Sequence, residues 1–153
     1  MYEKRIESMG YHLPPMPAPA ARYLPAARTG NLIFISGQTP KVGDKLVYAG
    51  KLGQDLSAAE GYEASKICIL RVLSALKAEV GDLDQVIRIV KLTGYVNSAP
   101  DFTKQSKVID GASELLEVVF GEQGRHARVA VGTNALPGNA AVEIELIVEV
   151  RGE

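Results

Sequence analysis

The chain has 153 residues, of which 46% are apolar and 23% charged, with 17 Lys and Arg against 18 Asp and Glu. That length makes one domain able to bury roughly 70% of its unfolded surface, and the composition excludes a disordered chain. The balanced charge supplies no basic surface for a nucleic acid, and a lone cysteine, Cys68, excludes an internal disulfide or a cysteine zinc site.

Residues 1–30 are expected to be irregular, because Pro14, Pro15, Pro17, Pro19 and Pro25 each remove an N–H donor and restrict the residue before them. Residues 1–22 read as a proline-rich surface arm, or else as a lid or a segment clasping another subunit, ahead of a single domain over residues 23–153. Leu32-Ile33-Phe34-Ile35 is a short β-prone run that ends in a turn or bulge at Ser36-Gly37-Gln38-Thr39-Pro40. One further short strand is expected around Leu46-Val47-Tyr48, between glycine turns. Residues 57–80 carry the clearest helical pattern. Ser57 and Glu60 make a capping box, Tyr62, Ile69, Leu70, Leu73, Leu76 and Val80 share one face, and Gly81 stops the helix. Cys68 falls inside it and reads as a buried, inert thiol.

Residues 86–96 are rich in Val and Ile and read as a strand, with Arg88 and Lys91 tolerable only near an edge or a partner. A second helix is expected over residues 101–120, with Pro100 before it, Asp101 as its N-cap, and Val108, Leu115, Val119 and Phe120 as core contacts. Gly111 weakens its middle by up to ~1 kcal/mol. A short strand over 126–133, a turn around Leu136-Pro137-Gly138 and a strictly alternating strand over 142–150 complete the chain. The expected order, β, β, α, β, α, β, β, gives an α+β fold: a mixed sheet with two helices on one face. Ile87, Ile89, Tyr95 and Ile147 then fall on the other face, where a subunit interface is the simplest cover. No apolar run approaches the ~18 residues of a membrane span, and the charged N-terminus lacks a signal-peptide core, so a cytoplasmic protein with no membrane partner is expected.

Several chemistries lack their motif. Gly50-Lys51 is followed by Leu52 rather than the hydroxyl of a phosphate loop, and there is no Gly-x-Gly-x-x-Gly, Gly-x-Ser-x-Gly or His-Glu-x-x-His. His12 and His126 lie 114 positions apart, so spacing supports neither a serine–histidine nor a metal-assisted hydrolase. What remains is Gly124-Arg125-His126-Ala127-Arg128-Val129, then Leu136-Pro137-Gly138, then Val142-Glu143-Ile144-Glu145. Strand–turn–strand geometry is expected to bring Arg128 close to the acidic face of the last strand. Such an arginine is either a plain salt bridge, the simpler reading on spacing alone, or a planar fork for a ligand carboxylate.

Together with Gly30-Asn31 and Ser36-Gly37-Gln38-Thr39-Pro40, this stretch resembles the YjgF/Rid family of reactive-intermediate deaminases, over about residues 23–151. The resemblance implies a chorismate-mutase-like α+β fold and a homotrimer with ligand clefts lined by two chains. It further implies that Arg128 binds the substrate carboxylate and that Glu143, fifteen residues on, positions the water for imine hydrolysis. Tyr23 matches a tyrosine lining the cleft, the backbone N–H groups around Val129 and Ala130 match a carboxylate cradle, and Asp110 is the match for an asparagine facing the cleft. Two departures mark a divergent branch: Val129 stands where Ser or Thr is common, and Asp110 brings negative charge.

The function this implies is an enamine/imine deaminase converting small 2-imino acids to 2-keto acids and ammonia, with no metal or organic cofactor. The alternative is a trimeric module that binds a small carboxylate metabolite without turning it over. Some family members carry an endoribonuclease or translation-inhibitor label, to which the balanced charge lends nothing.

Overall fold

The strictly alternating residues of the last strand, β7 (Val142–Val150), bury Val142, Ile144, Leu146, Val148 and Val150 against the helices and turn the residues between them to the other side. The computed structural model describes residues 1–16 and 22–153, and Pro17 and Pro19 of the arm lie outside them. β7 sits at the centre of a five-stranded sheet of order β1-β2-β7-β5-β6, where β1 is Ala26–Thr29, β2 Leu32–Gln38, β5 Val86–Asn97 and β6 Ala127–Thr133. Gly30, at φ +56°, and Asn31 form the two-residue turn between β1 and β2. β5 and β6 are parallel, which requires a crossover, and helix α3 (Gln105–Phe120) supplies it. Helix α2 (Ala58–Val80) lies beside α3 on the same face, so the sheet is mixed and helix-covered on one side as expected.

Ser57 and Glu60 make the capping box at the start of α2, and Gly81 ends it at φ +83°. α3 starts later than its sequence suggested. Asp101 is not its N-cap; that position is Lys104, without a side-chain cap bond. A turn comes first, closed by Phe102 N–H donating to the Ala99 carbonyl at 3.0 Å, and Gln105 Nε2 then donates to the Phe102 carbonyl at 2.8 Å. Gly111 marks where the two helices touch: a Cβ there would collide with the carbonyl of Tyr62 and the hydroxyl of Ser65. Its absent side chain is a packing requirement as well as a weakness in the helix.

The N-terminus corrects the expectation of an irregular segment. Residues Tyr2–Ser8 form helix α1, and Ile6 is 1% exposed within the core. Tyr2 packs on Phe120 with ring centroids 4.6 Å apart, Arg5 donates to the Val119 carbonyl at 2.6 Å, and Glu3 pairs with Lys77 at 2.8 Å. The prolines begin only after this helix and leave it free to form. A second correction concerns the glycine-bounded segment, where two short strands, β3 (Lys41–Val42) and β4 (Lys45–Leu46), pair as a separate hairpin.

Irregular pairing of β5 with β7 around residues 86–91 overturns one placement on the outer face. Ile89 was expected there, but the register shifts between Val86 and Arg88 and between Ile89 and Lys91 turn it into the core at 1% exposure. Arg88 lies beyond the stretch of β5 paired with β6 and pairs with Glu149 at 2.9 Å. The side of the sheet away from the helices carries Phe34, Val129 and Val131, all exposed, with Tyr95 and Ile147 half-buried. No described helix is long and apolar enough to cross a membrane.

Candidate functional site

Arg128 is the second residue of β6 and points to the helix side, in register with buried Leu92 of β5. Facing it is a polar stripe on α3, because Ser106, Asp110 and Ser113 recur at helical spacing while Val108, Ile109, Ala112, Leu115 and Leu116 turn to the core. Arg128 Nη1 donates to Asp110 Oδ1 at 2.8 Å and to Ser113 Oγ at 3.2 Å, and Nη2 donates to the Ser106 carbonyl at 3.4 Å. Among the described residues the remaining N–H groups of the guanidinium, including Nε–H, have no acceptor, and Asp110 accepts nothing through Oδ2.

His126 extends this network. Its Nδ1 lies 2.6 Å from the Gly124 carbonyl, which can only accept, so Nδ1 carries the proton. In the neutral ring Nε2 is then the acceptor, and the Ser113 hydroxyl donates a hydrogen bond to it at 2.9 Å. A chain of bonds therefore runs from the Gly124 carbonyl through His126 and Ser113 to the guanidinium. Sequence reasoning missed Ser106, Ser113 and His126. The recurrence of polar residues at 106, 110 and 113 was the available signal.

Glu143 stands on the other side of the sheet. It is in register with Tyr95 of β5, three residues and hence one face removed from the Leu92 that partners Arg128. The β2 bulge at Ser36-Gly37 makes room for it: a Cβ on Gly37 would lie 2.6 Å from Glu143 Oε1. Burial, and then the neighbouring Glu145 charge, push the Glu143 carboxyl above the usual 4.5. Tyr95 donates its hydroxyl to Glu145 at 3.0 Å, and this bond raises the phenol. Beside Glu145 a cavity of about 250 Å³ opens between Phe34, Lys91, Thr93 and Ile147.

Arg128 and the acidic row of β7 are therefore not close within one chain, contrary to the hairpin expectation, because β5 is inserted between β6 and β7. Of the other expected site residues, Asp110 meets Arg128 directly, whereas Tyr23 is 54% exposed and the exposed Val129 side chain belongs to the outer face. Ala130 lies on the helix side with Arg128 and packs against the core. Cys68 is buried, its thiol is pushed well up by desolvation, and it donates only to the Val142 carbonyl at 3.7 Å, so it is inert as expected. Among the described residues no three His, Cys, Asp or Glu side chains are grouped to hold a metal ion.

A family model described as "YjgF/chorismate_mutase-like, putative endoribonuclease" matches residues 3–150. Protein TCP17 of Trypanosoma cruzi is 46% identical over 146 residues, covering 95% of this chain and 91% of that protein. The crystal structure of Atu1372, a protein of unknown function from Agrobacterium tumefaciens, superposes with a TM-score of 0.90 at 42% identity, covering 97% of this chain and 91% of its own. A structure from Shewanella oneidensis MR-1, called a "putative endoribonuclease", gives a TM-score of 0.95 at 34% identity, covering 98% and 99%.

Proposed function

The chain belongs to the YjgF/chorismate-mutase-like family, and on that premise we propose that it is a cytosolic, cofactor-independent imine hydrolase that works as a homotrimer. Each cleft would combine Arg128 of one subunit with Glu143 of the next. The observation that carries this reading is the placement of the two groups on opposite faces of one sheet. A single chain cannot bring them to one ligand, whereas a partner seated on the outer face can. Phe34, Val129, Val131 and Ile147 on that face are the apolar surface a partner would cover.

The chemistry needs few parts. The uncommitted N–H groups of Arg128 hold the substrate carboxylate and so orient the C=N bond. Glu143 takes a proton from a water molecule as the water oxygen bonds to the electrophilic imine carbon. The resulting carbinolamine receives that proton on nitrogen; Glu143, ionised again, then takes the hydroxyl proton as the C–N bond breaks, the carbonyl forms and ammonia leaves. A half-buried carboxylate whose pKa is raised above the usual 4.5 is a stronger base than an ordinary carboxylate, and such general-base help is worth about 10²–10⁴-fold.

The test generates 2-imino acids in situ with an amino-acid oxidase and follows ammonia release and semicarbazone trapping. Faster ammonia release with less trapped imine is the expected result. No acceleration with any of several imino acids would replace the hydrolase by a module that captures carboxylates without turnover.

A further inference from the structure

The group nearest the Arg128 guanidinium is an accessible carboxylate. Asp110 is 46% and Arg128 23% exposed, so a ligand that reaches one reaches both. Oδ1 lies 2.8 Å from Nη1, while Oδ2 on the acceptor side and Nε–H on the donor side bond to nothing among the described residues. The pair therefore leaves one acceptor on the carboxylate and one donor on the guanidinium uncommitted.

A bare anion gains little from such a pair. Its attraction to the guanidinium is offset by repulsion from Asp110 at almost the same range. A ligand with a cationic nitrogen one carbon away from its carboxylate meets both charges with the right sign. We infer that Asp110 receives the cationic nitrogen of the substrate, so that the cleft takes zwitterions, iminium or ammonium 2-substituted carboxylic acids, in preference to 2-keto acids. This rests on the reading of Arg128 as the carboxylate receptor. The polar stripe of α3 sets the geometry. Ser106 and Ser113, one turn to either side of Asp110, hold the guanidinium through a carbonyl and a hydroxyl. The carboxylate of Asp110 is left as the ionic group of the stripe that faces the ligand. Hydrolysis exchanges the cationic nitrogen for a carbonyl oxygen, so the product loses the Asp110 contact and leaves more readily than the substrate.

The experiment measures binding of alanine and of pyruvate, a zwitterion and a keto acid of matching skeleton, to the full-length protein by calorimetry or ligand-observed NMR. Wild type is expected to prefer alanine by about tenfold or more, the worth of one charge-assisted hydrogen bond. Asp110→Asn is expected to abolish that preference by weakening alanine and tightening pyruvate, with Asp110→Ser as a second variant should Asn perturb folding. Equal affinities in wild type, or an unchanged preference in both variants, would overturn the role of Asp110. Arg128→Ala reads the underlying assumption separately: it is expected to bind neither probe. If it binds both like wild type, or if wild type binds neither, the carboxylate receptor is wrong and this inference falls with it.

Discussion

Arg128 and Glu143 project from opposite faces of the sheet, held apart by β5, whose Leu92 partners the arginine and whose Tyr95 partners the glutamate. A site that needs both groups must be completed by another chain. That makes complementation a direct test. Arg128→Ala and Glu143→Gln are each expected to be inactive alone. Refolding an equal mixture should restore about one quarter of wild-type activity, because a random trimer then joins an intact arginine to an intact glutamate in that share of its clefts. No recovery from a mixture shown to co-assemble would place both groups in one chain's site or remove one of them from it.

Glu143→Gln is expected to keep ligand binding while lowering turnover by about 10²–10⁴-fold. The pH dependence has a defined sign. Burial and Glu145 raise this carboxyl above 4.5, so its contribution to folding stability is full below pH 4.5 and is lost as pH rises through the folded value. The variant should therefore gain stability relative to wild type on raising the pH across that window, as denaturant melts at several pH values would reveal. Wild-type kcat/KM should rise with pH through the same raised value. A stability difference independent of pH would contradict the buried carboxylate.

Gly37→Ala tests the bulge. The added methyl would sit 2.6 Å from Glu143 Oε1, and the carboxylate must move away. Misplacement of this order costs about 10²-fold in rate. Carboxylate binding at the Arg128 that completes the cleft should be largely kept, since the atoms the methyl would meet are those of Glu143. Unchanged turnover in a steady-state assay would separate Glu143 from the chemistry.

Ile6→Ala tests the N-terminal helix. Removing a core side chain from a buried site is expected to cost about 2–5 kcal/mol by chemical denaturation, where a surface arm would lose almost nothing. The same helix should loosen in acid. The hydrogen bond from Lys77 holds Glu3 below its usual 4.5, so the Glu3 contribution is full above that pH and is lost as pH falls through the folded value. Proteolysis near residues 9–16 that accelerates in acid for wild type, and not for Glu3→Gln, would report it.

Elements governed by local chemistry were legible in the sequence. The Ser57–Glu60 capping box, the Gly81 stop and the alternation of β7 are settled within a few residues, and each is where it was expected. Features that depend on partners far along the chain were not. Arg128 and Glu143 looked adjacent because a loop joins their strands, but β5 inserts between them. Ile89 obeys alternation on paper and leaves it at a register shift. Helix α1 has one fully buried side chain in seven residues, too short a pattern to weigh against the prolines that follow. Asp110 was matched to a cleft-facing residue by resemblance alone, and its contact with Arg128, like the meeting of Ser113 and His126, depends on tertiary packing.

The missing side chain at Gly111 lets α3 rest directly on the backbone of α2, one position from Asp110. The part of α3 that faces the guanidinium thus packs directly on α2. Exchanging the side chains at 110 and 113 would change what the guanidinium meets while this contact between the helices stays as it is.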